Sequence, residues 1–277
     1  MATPIIEPIA GALGAEIHGL DLARGLDDGG VAMVRRALLD HLVVFFRDQK
    51  LSPSELADFG RRFGTLARYP FVEGLPGLPE VIEVKKLEHE RVNFGGIWHS
   101  DTAYLREPPM ASMLLALEVP PTGGDTLFAN MYAAFETLSD GMKKLLVGLK
   151  AVNSSDMADV TRTREDRIAS NPGKAKGEAF EAVHPVVRTH PETGRKALYV
   201  NRAHTVRIDG MTAEESANIL AFLYDHQTRP EFTCRFRWRE GSLAFWDNRC
   251  AQHNPINDYH GHRRRMHRIT LAGDKPR

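Results

Sequence analysis

The sequence predicts a mainly β protein, a sandwich or barrel core flanked by a few α-helices, on three observations. Apolar runs of strand length recur along the chain, separated by Gly, Pro and Asp turn residues. One of them, over 232–238, alternates, with Phe232, Cys234, Phe236 and Trp238 on one side and Thr233, Arg235 and Arg237 on the other, as a half-buried strand does. Helical stretches are fewer, and two of them begin with capping boxes. Many short strands with few helices pack as sheet layers decorated by helices.

In chain order, strands are expected over 42–46, 81–84 and 113–118, the last ending at Pro120-Pro121 and the turn residues Gly123-Gly124-Asp125. A short strand follows over 126–130. Runs over 185–189 and 196–201 are joined by His190-Pro191-Glu192-Thr193-Gly194, a hairpin-like turn. The strands over 232–238, 242–246 and 266–272 complete the set. Ser52-Pro53-Ser54-Glu55 supplies an N-cap, a Pro at the first helical position and a Glu reaching back, ahead of Leu56, Phe59 and Phe63. Thr212-Ala213-Glu214-Glu215 repeats the box before Ile219, Leu220 and Leu223. Apolar residues at helical spacing predict one more helix over 131–149.

The chain has 277 residues, and its 36 Lys+Arg balance 36 Asp+Glu. A neutral chain lacks the basic excess usual in nucleic-acid binders. No apolar run approaches the roughly 20 residues of a membrane span, and no signal peptide is readable at the N-terminus. Cys234 and Cys250 form no Cys-x-x-Cys or nucleophile pattern and are expected as buried packing. No linker-like or low-complexity tract divides the chain, so a single domain over 1–277 in a reducing cytoplasm is expected. No Gly-rich phosphate loop is present, and nucleotide chemistry has no support.

Twelve histidines invite a metal hypothesis. Trp98-His99-Ser100-Asp101 places an imidazole and a carboxylate at i and i+2, which on an extended segment point the same way. Chance alone supplies about 0.7 such pairs in a chain of this composition. His190-Pro191-Glu192 has the same form, but its turn already has a structural explanation. The company of His99 raises it: Gly95-Gly96 upstream permits close backbone approach, and His253 follows the apolar run that ends in Phe245-Trp246. Two His and one carboxylate leave positions open, as in non-haem Fe(II) oxygenases, whereas a structural zinc site closes its fourth position.

These residues sit among longer motifs: Gly14-Ala15-Glu16-Ile17, Gly19-Leu20-Asp21-Leu22, Val43-Val44-Phe45-Phe46-Arg47-Asp48-Gln49, Gly123-Gly124-Asp125-Thr126, His184-Pro185-Val186-Val187-Arg188-Thr189-His190-Pro191, Trp246-Asp247-Asn248-Arg249 with Gln252-His253, and Arg264 to Arg268 ahead of Gly273-Asp274-Lys275-Pro276. In this order, over nearly the whole chain, they resemble the taurine dioxygenase/chlorophenoxyacetate dioxygenase (TauD/TfdA) family of iron- and 2-oxoglutarate-dependent dioxygenases. The resemblance implies a double-stranded β-helix (jelly-roll) core with flanking helices and insertions. It implies Fe(II) held by His99, Asp101 and His253, 2-oxoglutarate held at its distal carboxylate by Thr126 and Arg264, O2 as second cosubstrate, and Arg268 facing the primary substrate. In relatives, hydroxylation falls on the carbon bearing a sulfonate, sulfate or aryloxy group, and the product breaks down.

The segment 260–268 packs four arginines and three histidines into nine positions, and such runs are usually solvated. As a strand over 263–271, however, period two puts Arg264, Met266 and Arg268 on one face and Arg263, Arg265 and His267 on the other. A buried arginine needs an anion, so an inward Arg264 calls for an acid. Charges then close: Fe(II) and one Asp leave +1, 2-oxoglutarate brings −2, Arg264 restores zero, and Arg268 balances one anion on the substrate.

Substrate residues follow less directly. The taurine branch carries His-Pro then Tyr after the second helix, and here Tyr69 stands where that His would be, with Val72 in place of the Tyr. His204 aligns with an aromatic, substrate-facing position of that branch, and Asn93 and Tyr104 flank the iron motif. The expected substrate is a small sulfonate, alkyl sulfate, aryloxyalkanoate or related organic acid with an apolar body. A divalent-metal hydrolase would use the same ligands but leaves Arg264 and Arg268 without a purpose. A non-catalytic jelly-roll binding protein would not need the complete ligand set. The helices and surface apolar residues permit a homo-oligomer, dimer or tetramer.

Overall fold

The computed structural model describes residues 4–157 and 180–277. In chain order its strands are β1 (Ile5–Pro8), β2 (Ala15–His18), β3 (Val43–Phe46), β4 (Leu66–Ala67), β5 (Ile82–Lys86), β6 (Ala111–Glu118), β7 (Thr126–Asn130) and β8 (Lys150–Ser154). They continue with β9 (Glu181–Pro185), β10 (Val187–Thr189), β11 (Lys196–Leu198), β12 (Thr205–Ile208), β13 (Thr233–Phe236), β14 (Leu243–Asp247), β15 (Ala251–Pro255) and β16 (Arg264–Leu271). Helices among the described residues are α1 (Asp28–His41), α2 (Pro53–Arg61), α3 (Met131–Glu136), α4 (Asp140–Leu146) and α5 (Ala213–Gln227).

A large sheet runs β1-β2-β3-β14-β6-β16-β4, with β5 also paired to β16. Smaller sheets are β13-β7-β15, β12-β8-β9 and the hairpin β10-β11. The large sheet is buried on both faces, which explains why β3 reads as an unbroken apolar run rather than an alternating one. Val43 and Phe45 enter one cluster with Phe128, Phe236 and Trp246, between the large sheet and β7-β13. Val44 and Phe46 enter the other, with Phe59 and Phe63 from the α2 region and Leu38 of α1. On β16, Met266 belongs to the inner cluster and Ile269 and Leu271 to the outer one. The expected mainly β architecture with helices on its flanks is therefore present.

Local chemistry sets the boundaries. Both expected capping boxes form, at Ser52/Glu55 and Thr212/Glu215. The helix expected over 131–149 is instead two: Thr137 Oγ1 donates to the Ala133 carbonyl at 2.8 Å as α3 ends, and Ser139 recaps α4 by accepting from Met142 N. The run over 185–189 splits at Val186 into β9 and β10, and the strand expected over 196–201 stops at Leu198. β10 and β11 form the expected hairpin, pairing Val187 with Leu198. Of the strand expected over 232–238, Thr233–Phe236 is regular; Cys234, Phe236 and Trp238 are buried while Arg235 and Arg237 are exposed. Cys234 and Cys250 are buried and unpaired. No described helix is long and apolar enough to cross a membrane.

The turn containing His190-Pro191-Glu192 is anchored inward. His190 Nδ1 accepts from the Glu192 and Thr193 amides, both at 3.2 Å, so its Nε2 carries the proton and donates to Asp247 Oδ2 at 3.1 Å. Arg249 grips both Asp247 oxygens, at 2.9 and 2.6 Å, and reaches Glu192 at 2.8 Å. Although His190, Asp247 and Cys250 lie close enough to bind an ion, the carboxylate is spoken for by this fork. Burial pushes the Asp247 carboxyl up, but Arg249 and His190 outweigh it and hold it well below the usual range. A depressed folded value means this stabilisation is present above the unfolded carboxylate value of about 3.9 and is lost as pH falls below it. Arg249→Met is expected to cost about 3–5 kcal/mol in urea unfolding by stranding a buried charge. The Asp247→Asn/Arg249→Met double variant should recover part of that; equal or greater loss would contradict a buried ion pair.

Candidate active site

The site begins with a backbone pair. His99 and His253 form an isolated antiparallel bridge, each N–H donating to the other's carbonyl at 3.0 and 2.9 Å. Residues directly opposite in such a pair present their side chains together, and the ring centroids are 4.1 Å apart. Asp101, two residues on, places Oδ1 3.6 Å from His99 Nε2 and 3.9 Å from His253 Nε2. One ligand atom from each lies within 4.8 Å of the others, and all three residues are buried. His99 Nδ1 is 2.7 Å from the Ile97 carbonyl, which fixes the proton there and leaves the Nε2 lone pair for a metal. Gly95, at φ +71°, is required by this packing, since a Cβ there would stand 2.8 Å from His99 Cε1.

The second oxygen of Asp101 is held elsewhere. Oδ2 accepts from Ser112 Oγ at 2.6 Å and from Arg268 Nη2 at 2.8 Å. Burial pushes the Asp101 carboxyl up, but Arg268 and the two imidazoles outweigh it, and it lies well below its ordinary value. Burial and the neighbouring His99 push His253 well below its ordinary value, which favours the neutral imidazole that a metal requires. Two imidazoles and one ionised carboxylate, gathered at one point, fit a ferrous ion.

Two adjoining clefts, enclosing about 400 and 450 Å³ including open solvent, meet at Phe94, His99 and Arg268. The second cleft holds Thr126, Arg264 and Trp238. Thr126 opens β7 just after the Gly123-Gly124 turn, which Asp258 ties down by accepting from Gly124 N at 2.7 Å. Trp238 Nε1 donates to Thr126 Oγ1 at 2.9 Å, so the threonine's own proton is free to point into the cleft. The Arg264 guanidinium lies 5.5 Å from the Trp238 ring, and its buried Nε and Nη2 have no hydrogen-bond partner among the described residues. A buried, unsatisfied guanidinium beside a free hydroxyl is a carboxylate receptor.

The first cleft is lined by Tyr69, Phe94, Ile97, Tyr104, Ala203, His204 and Arg268, with His99 and Asp101 at its floor. The Arg268 guanidinium lies 5.4 Å from the Tyr69 ring centre, and its buried Nε has no hydrogen-bond partner among the described residues. Burial raises the Tyr69 phenol to about 12, and burial together with His99 lowers His204 to about 3, so both are neutral. Asn93 departs from expectation. It lines neither cleft, because its Nδ2 donates to the Pro255 carbonyl at 3.3 Å and its Oδ1 accepts from Tyr259 at 2.7 Å. Sequence reasoning missed Phe94, Ile97, Trp238, Ser112 and Asn248. Trp238 was legible as the last inward residue of an alternating strand, and Asn248 lay within a quoted motif, whereas nothing local marks Ser112.

Residues 5–270 match the family described as the taurine catabolism dioxygenase TauD, TfdA family. The chain is 35% identical over 277 residues to an alpha-ketoglutarate-dependent sulfate ester dioxygenase of Pseudomonas putida, covering 98% of this chain and 90% of that one. It is 35% identical over 276 residues to an alkylsulfatase of Acinetobacter baylyi, covering 97% and 85%. A solved taurine dioxygenase structure from Burkholderia xenovorans superposes with a TM-score of 0.83 at 36% identity, covering 99% of this chain and 91% of that one. With the His99–Asp101–His253 cluster seated in the jelly-roll core of those relatives, the chain belongs to the TauD/TfdA family of Fe(II)- and 2-oxoglutarate-dependent dioxygenases.

Proposed function

We propose that this dioxygenase, taken as one domain over 1–277, oxidises small organic sulfate esters with an apolar body, using His99, Asp101 and His253 for iron and Thr126 and Arg264 for 2-oxoglutarate. The observation that carries the assignment is the Arg264 guanidinium, buried with no hydrogen-bonded anion among the described residues in the cleft that also holds His99 and His253. When bound, ferrous iron and 2-oxoglutarate together activate dioxygen to oxidise a substrate C–H bond, releasing succinate and CO2. Arg264 and the Thr126 hydroxyl bind and align the distal carboxylate, and the Trp238 indole holds that hydroxyl's proton toward it. Phe128, Trp246 and Leu114 wall the same cleft and exclude water.

Arg268 lines the first cleft and is positioned to exchange its contact with Asp101 for a substrate anion. Tyr69, Phe94, Ile97 and Tyr104 surround that cation with apolar surface, which suits an alkyl or aryl body behind a monoanionic head. The relatives named for sulfate esters and alkyl sulfates support that choice. A hydrolase reading leaves Arg264 unexplained, and among the described residues no carboxylate other than Asp101 lines either cleft to serve as a base. Succinate release with Fe(II) and 2-oxoglutarate is expected to rise with a linear alkyl sulfate, with inorganic sulfate freed in equal amount, and to respond less to taurine. A larger response to taurine, or succinate without sulfate, would overturn the substrate assignment. Arg264→Ala should raise the KM for 2-oxoglutarate at least about a hundredfold with a smaller change in kcat, given roughly 3–5 kcal/mol for one partner of a buried charged pair. Trp238→Phe, which keeps the ring under Arg264 and removes the N–H, should raise the same KM only several-fold; an unchanged KM would show that Thr126 needs no orienting partner.

A further inference from the structure

The hydrogen bonds around Asp101 have a direction that is set two residues away. Trp246 Nε1 donates to Asn248 Oδ1 at 2.9 Å. An indole N–H can only donate, so the amide oxygen must face it and the amide NH2 must face away. That NH2 donates to Ser112 Oγ at 3.0 Å. A serine hydroxyl has one proton, and with its oxygen already accepting from a group that cannot accept in return, that proton goes to Asp101 Oδ2, 2.6 Å away. Trp246 and Ser112 are register partners across β14 and β6, so the relay is built on rigid strands. Ser112 and Asn248 are at most 1% exposed, so no bulk water can take their place.

Taking His99, Asp101 and His253 as the metal ligands, we propose that Ser112 and Asn248, oriented by the Trp246 indole, are positioning residues that hold Asp101 Oδ2 away from the ion. Asp101 then offers Oδ1 alone, and the coordination positions that cosubstrates need stay open. Arg268 shares this task, since its Nη2 also reaches Oδ2, but Arg268 is the group that turns to a substrate anion. The Ser112 hydroxyl is the contact on Oδ2 that persists when it does. Losing a partner that orients a metal ligand typically costs about ten- to a hundredfold in metal affinity.

The test is a Co2+ titration of the metal-free protein, followed by the cobalt absorption band and accompanied by a melting curve of each metal-free variant. Ser112→Ala is expected to weaken Co2+ binding about ten- to a hundredfold, and Trp246→Phe to weaken it by more than threefold. Trp246→Phe keeps an aromatic ring beside His253, 4.8 Å from it in the parent, and removes the N–H that acts through Asn248 and Ser112, so adding it to Ser112→Ala should weaken binding no further. Ser100→Ala removes a buried hydroxyl from the same segment, one that donates to the Ala251 carbonyl at 3.1 Å, and should stay within threefold of the parent. A Ser112→Ala protein that binds Co2+ within threefold of the parent or tighter, or two substitutions whose effects multiply, would overturn the relay. If Ser112→Ala does not fold, Trp246→Phe decides alone, and parent-like affinity there overturns it. A parent protein that binds no Co2+ would instead refute the ligand assignment on which the relay depends.

Discussion

The ion pair between Asp101 and Arg268 is the constraint around which the interior is arranged. Among the described residues Asp101 is the one acidic residue lining either cleft, and the two clefts also hold two guanidinium groups and three imidazoles. With the imidazoles in the neutral form that metal binding requires, Asp101, Arg264 and Arg268 sum to +1, a charge that a buried site must balance. Adding a ferrous ion takes it to +3, and a dianionic cosubstrate with a monoanionic substrate returns it to zero. The neutral overall composition of the chain conceals this local deficit of negative charge.

The fold supplies the geometry cheaply, from backbone pairing. A single antiparallel bridge between His99 and His253 sets the two imidazoles side by side, and the turn that follows His99 brings Asp101 round to them. Alternation along β16 turns Arg264, Met266 and Arg268 inward while Arg263 and Arg265 stay exposed. Because β16 is packed on both faces, its inward side chains have little freedom to shift. Strands carry Thr126, His253, Arg264 and Arg268, while His99 and Asp101 sit on the segment bridged to β15, so the two clefts share a rigid wall.

Much of this was legible in the sequence. Period two correctly grouped Arg264 with Arg268, the Ser52 and Thr212 boxes marked their helices, and His-x-Asp found its partner His253 through the motifs around it. The illegible parts have physical causes. Helix α1 begins at the Asp27 cap with Gly29-Gly30 in its first turn, residues that read as a turn until the rest of the helix packs Val34 and Leu38. Strands β1, β2, β8 and β12 are short, and tertiary pairing rather than local propensity defines them. Asn93 looked like a pocket residue by proximity in sequence, but its partners Pro255 and Tyr259 are more than 160 positions away. Ser112 shows no local signal at all, because its role exists only once β6 and β14 are side by side.

The central claim is that this cleft binds ferrous iron and 2-oxoglutarate together, and the most direct measurement is anaerobic optical titration of the metal-free protein with Fe(II) and then 2-oxoglutarate. A weak visible metal-to-ligand charge-transfer band that appears only when both are present, and saturates with 2-oxoglutarate, is the predicted result. No band at saturating concentrations of both would contradict it.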